Sequence, residues 1–480
     1  MTHCYMTFTI LKRRLAHYLR TPIHNLVSPQ TDVSLLCWVR SVRKHKDIIF
    51  VDLSDGLSSH RLQAVIHASL WDPKKAPISA GCSVRISGDL VQSPGQNQQL
   101  ELVTKELDLV GECDAAKYPF RPRKTYNIDL ERNFQHLRPR MEKYAAVHRV
   151  RNRLTQAAHA YFQELDFCQI QTPILTTNDC EGAGETFLVN HIDDLKPTSP
   201  SPPTPPSSLE KVAPKSPAPP PTYFPSQCHL TVSSQLHLEA LVHSISRVYT
   251  IQSAFRAENA LSRKHLCEFT MLEVELVTES VDTIVSITEE LIKRMWLSVR
   301  EMEDFKTLGE DWRDAVDTAL AKTFVRISYD DAVKELQGKQ LTHPLTWGCD
   351  FKVEHENLLL EFSQGRPLVI THFPAKIKPF YMATKDGEHG RLAECFDLLL
   401  PVGGEVVGGS MREMDRDKLL ESIQQASIKG LEWYVELREF GSVPHGGFGL
   451  GVDRLLQYFT NTHNIKETVP FPRWQKHCQA

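Results

Sequence analysis

Phe255-Arg256-Ala257-Glu258-Asn259 opens the stretch FRAENALSRKHLCEFTMLEVE, residues 255–275, on which the reading of the whole chain turns. The apolar run Val248-Tyr249-Thr250-Ile251 leads into it and predicts a buried strand. If that strand continued, Arg256 and Glu258 would share one of its faces, because strand side chains alternate. Residues 259–263 lack alternation and read as a loop that also carries Lys264 and His265. A second apolar strand follows over residues 269–276. The expected unit is an antiparallel hairpin with cations at its rim and the carboxylates of Glu268, Glu273 and Glu275 within the sheet. Carboxylates are seldom buried unless paired or functional. Alone, the tetrapeptide reads as a charged surface hairpin; its meaning comes from the rest of the chain.

A chain of 480 residues is long enough for two or three domains and a sizeable core. Hydrophobic residues make up 41% and charged residues 24%, as in soluble globular proteins. The net charge of −4 means that a nucleic-acid partner must be held by local patches, not by bulk charge. Eleven scattered cysteines, with no CxxC and no HExxH, point to free thiols in a reducing compartment rather than a zinc site. No apolar stretch approaches the length of a membrane span, so no membrane partner is expected. Residues 1–31 carry Lys12, Arg13, Arg14 and Arg20, and the first acid is Asp32. Basic and acid-free, they have transit-peptide composition, so the mitochondrial matrix is the expected location; a cytoplasmic chain with a short tail is the alternative.

Five short strands, at residues 33–42, 47–53, 62–67, 82–90 and 99–109, predict a small barrel of the OB type over 32–111. Residues 112–141 are rich in Pro and Arg and read as a hinge. From 142 to 480 the pattern is that of one α+β domain. Val147, Val150, Leu154, Ala158, Tyr161 and Leu165 recur at helical spacing, so 142–166 is an amphipathic helix, and a strand at 167–170 ends by Pro173. Two glycines and three acids make residues 179–185 an anionic loop. Twelve of the chain's 29 prolines lie in 193–226, a composition that builds no packed core. A strand at 230–232 restarts the fold, followed by helices from about residue 239 and over 281–303. No chemistry is legible in 304–366. Asp397 sits in the apolar strand 396–400, a glycine-rich segment runs over 403–413, and a last helix is expected at 415–438.

The FRxE tetrapeptide, with His265 and Phe269 spaced as HxxxF, resembles motif 2 of the class II aminoacyl-tRNA synthetases. Gly449-Leu450-Gly451-Val452-Asp453-Arg454 resembles motif 3, and Gln171-Thr172-Pro173 after a long helix resembles motif 1. Three motifs in the right order are far more specific than any one. The resemblance implies an antiparallel class II catalytic domain behind the barrel and a homodimer formed through the motif 1 helix. It implies ATP held by Arg256 at the α-phosphate, Arg454 at the γ-phosphate, Phe269 on adenine, and Glu258, His265 and Glu405 around them. Asp397 and Glu405 resemble the pair that holds Mg²⁺ on the phosphates, and hard carboxylate oxygens suit that ion. Residues 38–56 resemble the anticodon-binding barrel of the aspartyl, asparaginyl and lysyl enzymes. Arg40, Arg43, Lys44 and Lys46 would meet phosphates, Phe50 would stack on a base, and Gln63 would hydrogen-bond one.

Within the class, the chain resembles the bacterial-type and mitochondrial asparaginyl-tRNA synthetases. Glu181-Gly182-Ala183-Gly184-Glu185 looks like the loop that closes on the amino acid, with Glu181 facing its ammonium group. Ser233-Ser234-Gln235-Leu236 looks like the substrate segment, with Gln235 near the amino acid, and Arg412 resembles the arginine that reads the side-chain carbonyl. Aspartyl enzymes carry Asp at the place of Glu273, whereas asparaginyl enzymes carry Glu. The implied reaction uses ATP to join asparagine to tRNA(Asn) through an adenylate. His265 would share the leaving pyrophosphate. The chemistry is mostly positioning and charge neutralisation, which planar, permanently charged arginines serve well. Two rivals stand beside this reading: an aspartyl enzyme, separated by Glu273, and a non-catalytic tRNA-binding paralogue, separated by ATP binding.

Overall fold

The structure, a computed structural model, describes residues 20–71, 77–95, 98–122, 124–178, 180, 185–191 and 223–479. Glu181, most of the basic leader and most of the proline-rich segment therefore lie outside the described residues. The chain divides into two compact units, one of residues up to Leu154 together with Ser298–Arg313, the other of Thr155–Leu297 and Asp314–Gln479.

The first unit is built on a closed barrel in the order β1-β2-β3-β5-β4. Its strands are β1 (Gln30–His45), β2 (Ile48–Ser54), β3 (Leu62–His67), β4 (Ser83–Gln92) and β5 (Leu100–Gly111). Strict alternation shapes it: Val33, Leu35, Cys37 and Val39 of β1 all point into the core. Ile23 and Leu26 join that core, and the Ile23 N–H donates to Asp55 at 2.7 Å. Residues 23–31 are thus part of the barrel, although their composition groups them with the leader. Residues 112–141 carry their own packing: Phe120 is buried, edge-on to Tyr126 and Phe134 at ring-centroid distances of 5.5 and 6.1 Å. Asp304 is tied into this unit by Arg149 Nε at 2.8 Å and Ser59 Oγ at 2.8 Å.

The second unit is organised on an eight-stranded sheet in the order β12-β13-β16-β17-β18-β11-β10-β6. In chain order these are β6 (Cys168–Gln169), β10 (Arg247–Phe255), β11 (Glu268–Val277), β12 (Val325–Ser328), β13 (Leu368–Thr371), β16 (Cys395–Leu400), β17 (Gly404–Met411) and β18 (His445–Gly451). Between them, β7 (Leu175–Thr176), β8 (Leu188–Val189) and β9 (Cys228–Leu230) form a small sheet, and β14 (Thr384–Gly387) pairs with β15 (Gly390–Ala393). Every pairing in the main sheet is antiparallel except β12 with β13 and β10 with β6. The helix Val281–Val299 buries Ile284, Leu291, Ile292, Met295 and Trp296, and Trp296 meets Phe459 of the helix Val452–Thr460 at 5.1 Å. Burying each such side chain contributes about 1.5–3 kcal/mol.

The antiparallel hairpin of β10 and β11 forms as expected, with Phe255 opposite Glu268, where its ladder ends. Arg256 and Glu258 therefore sit in the connecting loop, not on a strand face, and Glu268 is exposed. The helix expected from about residue 239 begins at Gln235, with Ser234 before it. The single helix expected over 415–438 is two, Arg416–Gln425 and Glu432–Glu436. Between them Ser427 and Gly430 take positive φ of 57° and 76°, which a right-handed helix cannot accommodate.

Candidate active site

Alternation along β11 puts Met271, Glu273 and Glu275 on one face of the strand and Leu272, Val274 and Leu276 on the other. The polar face lines a cleft of about 430 Å³ in the second unit. All ten candidate residues for ATP, metal and amino acid that fall among the described residues line it: Gln235, Arg256, Glu258, His265, Phe269, Glu273, Asp397, Glu405, Arg412 and Arg454.

One end of the cleft is cationic. The Arg256 guanidinium lies 5.4 Å from the centre of the Phe269 ring, and its backbone N–H donates to Cys267 O at 3.0 Å. Arg454, in the first turn of Val452–Thr460, donates to Glu405 O at 2.7 Å and Lys264 O at 3.4 Å, tying that turn to β17 and to the 256–267 loop. Asp453 beside it is buried and accepts the Thr270 N–H at 2.8 Å, which locks that helix to the start of β11. The loop is also held from behind by Ile465 N–H to Arg263 O at 2.9 Å and Lys466 Nζ to Ser262 O at 3.3 Å. His265 Nε2 is 3.4 Å from Glu258, and its Nδ1 meets the Ser262 hydroxyl. Burial lowers the His265 pKa, Glu258 opposes this, and the charges of Arg454, Lys264 and Arg256 add to the lowering. The imidazole is therefore held toward its neutral form.

Asp397 and Glu405 face the same point: a Cβ on Gly408 would lie 3.5 Å from Glu405 Oε1 and 3.7 Å from Asp397 Oδ1. Lys378 Nζ stands 2.5 Å from Asp397, a resident cation. Burial first, then repulsion from Glu405, pushes the Asp397 carboxyl up to about 7 against the pull of Lys378. Two carboxylates that gain from added positive charge fit a hard dication whose other ligands are phosphate and water. Among the described residues, no group of three or more metal-ligating side chains stands together.

The other end is built on buried, hydrogen-bonded charges. Arg412 is buried and bidentate on Glu275, Nε to Oε1 at 2.9 Å and Nη2 to Oε2 at 2.7 Å, with Nη1 on Ser410 Oγ at 2.5 Å. This counter-ion drives the guanidinium pKa up against the cost of burial, so Arg412 stays charged. Both Glu273 oxygens accept the Ser234 N–H at 3.0 Å, and one also accepts the Ser233 hydroxyl. Burial raises the Glu273 pKa while those hydrogen bonds pull it back. Ser234 also accepts from Thr172 at 2.8 Å, which ties the motif 1 segment to this wall. Gly447 allows β18 to lie here, since a Cβ would fall 2.0 Å from Val274 O and 2.3 Å from Glu275 Oε2.

Sequence reasoning noticed Glu275 as a carboxylate in a strand but not its pairing with Arg412. It named Ser233 within the substrate segment but not its bond to Glu273, and it missed Lys378 and Tyr381, which also line the cleft. It also passed over 304–366, which supplies Asp350 to the cleft and Glu356 to Lys264 at 3.5 Å. On the barrel, Arg43, Phe50 and Gln63 converge on the outer face: Arg43 pairs with Phe50 across β1 and β2, 5.8 Å from its ring, and donates to Gln63 Oε1 at 2.6 Å. Phe50 alternates with the buried Ile49 and Val51, so it is not core. Arg40, expected at a phosphate, instead donates to Arg140 O at 2.6 Å.

The family of class II tRNA synthetases (D, K and N) matches residues 127–475, and the OB-fold nucleic acid binding domain matches residues 33–110. The chain belongs to the class II tRNA synthetases. Asparaginyl-tRNA synthetase of Mus musculus is 36% identical over 459 residues, covering 93% of this chain and 91% of the relative. Within the class, this chain belongs to the asparaginyl-tRNA synthetase family. The asparagine–tRNA ligase of Parabacteroides distasonis is also 36% identical, over 92% of this chain and 94% of its own. The crystal structure of asparaginyl-tRNA synthetase from Pyrococcus horikoshii, complexed with asparaginyl-adenylate, matches with a TM-score of 0.80 at 28% identity, over 96% of this chain and all of that one.

Proposed function

We infer that the chain is an asparagine–tRNA ligase: it activates asparagine with ATP to an adenylate and transfers it to the terminal ribose of tRNA(Asn). The observation that carries this is one cleft with phosphate-suited cations at one end and Arg412 and Glu273 at the other. The asparaginyl-adenylate held by the P. horikoshii enzyme supports it. The asparagine carboxylate attacks the α-phosphorus in line; a carboxylate needs no general base. Arg256 neutralises the α-phosphate, and Arg454 and His265 take the leaving pyrophosphate. Arg412 offers donors to the side-chain carbonyl, and Glu273 accepts from the side-chain NH₂. Asp397 and Glu405 would hold Mg²⁺, which supplies further neutralisation of the phosphates when bound. In a Mn²⁺–ATP titration followed by electron paramagnetic resonance, Asp397→Asn should weaken Mn²⁺ uptake; unchanged uptake would remove Asp397 from the ligand set. Amino-acid-dependent ATP–pyrophosphate exchange tests the whole reading: asparagine should support it and aspartate should not. Exchange driven by aspartate would overturn the asparaginyl assignment, and failure to bind ATP would favour a non-catalytic paralogue.

The barrel face of Arg43, Phe50 and Gln63 supports anticodon binding by stacking and hydrogen bonding. Phe50→Ala should cost about 1–3 kcal/mol of tRNA binding, the worth of one base on an aromatic ring. Amino-acid activation without tRNA should be unchanged; an equal loss in both assays would make Phe50 a structural residue. Two further readings belong here: a homodimer through the helix Glu142–Glu164 and its motif 1 continuation, and import into the mitochondrial matrix directed by the basic N-terminal residues. Light scattering decides the first, a monomer mass counting against it. Uptake by isolated mitochondria decides the second, and protein left outside would favour the cytoplasm.

A further inference from the structure

The helix Gln235–Ile245 carries one acid, Glu239, with no exposed surface. Glu239 does not line the cleft, and no step above uses it. Its Oε1 accepts from Gln235 Nε2 at 2.9 Å and from the Tyr434 hydroxyl at 2.8 Å, and lies 3.7 Å from Arg412 Nε. Its Oε2 faces Arg438 Nη2 at 2.9 Å, His445 Nε2 at 3.1 Å and the same Tyr434 hydroxyl at 2.7 Å. Tyr434 and His445 are buried without exposed surface, and Arg438 is buried. One oxygen thus bonds Gln235 and lies near Arg412, both of which line the cleft, while the other is anchored to the protein behind it.

We propose that Glu239 is a positioning residue for amino-acid selection, setting from behind the cleft wall which face of the Gln235 amide meets the ligand. An ionised carboxylate only accepts hydrogen bonds. Gln235 must therefore turn its NH₂ to Glu239 and present its carbonyl oxygen to the cleft, where it can accept from an ammonium group. Gln235 and Glu239 meet because they lie four residues apart on one helix face. Burial alone would raise the Glu239 pKa, but the His445 hydrogen bond and the charges of Arg438, His445 and Arg412 outweigh it and hold the group below the usual carboxylate range. It stays ionised wherever the enzyme works. A buried ion network gives little net stability relative to apolar packing of the same shape. Its consequence here is a fixed geometry on the side facing the ligand.

The test builds on the asparaginyl reading and uses pyrophosphate exchange with the full chain. In Glu239→Gln the new amide can offer either face, so Gln235 is free to turn over. KM for asparagine should rise about tenfold or more while KM for ATP stays within about twofold, a split that a merely structural role would not produce. Glu239→Asp keeps the charge that Arg438 and Arg412 require, so it folds, yet it withdraws the carboxylate by one methylene; it should show the same split. In a Gln235→Met background the effect of Glu239→Gln on the asparagine KM should shrink to about threefold or less, because the residue it acts through is gone. Equal rises in both KM values, no change in either, or a full effect in the Gln235→Met background would overturn the proposal. Wild-type exchange on another amino acid would sink the asparaginyl reading instead, and the KM split for that amino acid would still decide the role of Glu239.

Discussion

Replacing Arg256 or Arg454 by alanine should lower adenylate formation by roughly 10²-fold or more, the cost of losing one charge-stabilising contact in a preorganised site. Both side chains line the same end of the cleft, one on the 256–267 loop and one in the first turn of Val452–Thr460. Neither is part of the apolar core, so the variants should fold. The two should not be equal. The Arg256 guanidinium lies 5.4 Å from the centre of the Phe269 ring, where its loss would remove a phosphate contact. Arg454 also donates to Glu405 O and Lys264 O, so its removal loosens the loop and should raise KM for ATP as well. Exchange rates and KM for ATP, measured side by side, check both statements. Near-normal exchange in Arg256→Ala would remove it from the phosphate site.

Glu273→Gln should relax the rejection of aspartate. Asparagine and aspartate have nearly the same shape, so a cleft cannot sort them by size. Polarity can. Aspartate would keep its contact with Arg412 but set a carboxylate against Glu273, in a buried site where like charges are costly. Sites that depend on such pairing reject the wrong substrate by about 10⁴–10⁵ without editing. Burial raises the Glu273 pKa and the Ser234 N–H and Ser233 hydroxyl oppose it; the repulsion acts through the ionised form that these hydrogen bonds favour. A glutamine carbonyl still accepts from the asparagine NH₂ but no longer repels a carboxylate. The ratio of kcat/KM for the two amino acids should therefore fall in the variant; an unchanged ratio would mean that another residue discriminates.

Much of this was legible one residue at a time. Alternation in residues 33–109 predicts five strands, and five strands close the barrel. The resemblance to the synthetase motifs pointed to ten residues that meet in one cleft although they are spread from Gln235 to Arg454. What stayed hidden was partnership. Nothing near Glu275 in sequence announces that Arg412 will lie across from it, or that Lys264 will reach Glu356. Local pattern also misplaced ends: Arg256 and Glu258 continue an apolar strand in composition, yet the ladder stops at Phe255 because the partner strand begins only at Glu268.

The sequence by itself determined the barrel and the α+β domain through the apolar periods of strands and helices, and the chemistry and the substrate pair to be told apart through the resemblance its motifs carry. Only the tertiary structure decided which charges neutralise one another. A carboxylate in a strand has the same local signature whether it will accept from a backbone N–H, as Glu273 does, or serve as a counter-ion, as Glu275 does. The difference arises when β11 lies beside β18 and β17 brings Arg412 to Glu275, since electrostatic energy depends on distance and burial that no single segment contains.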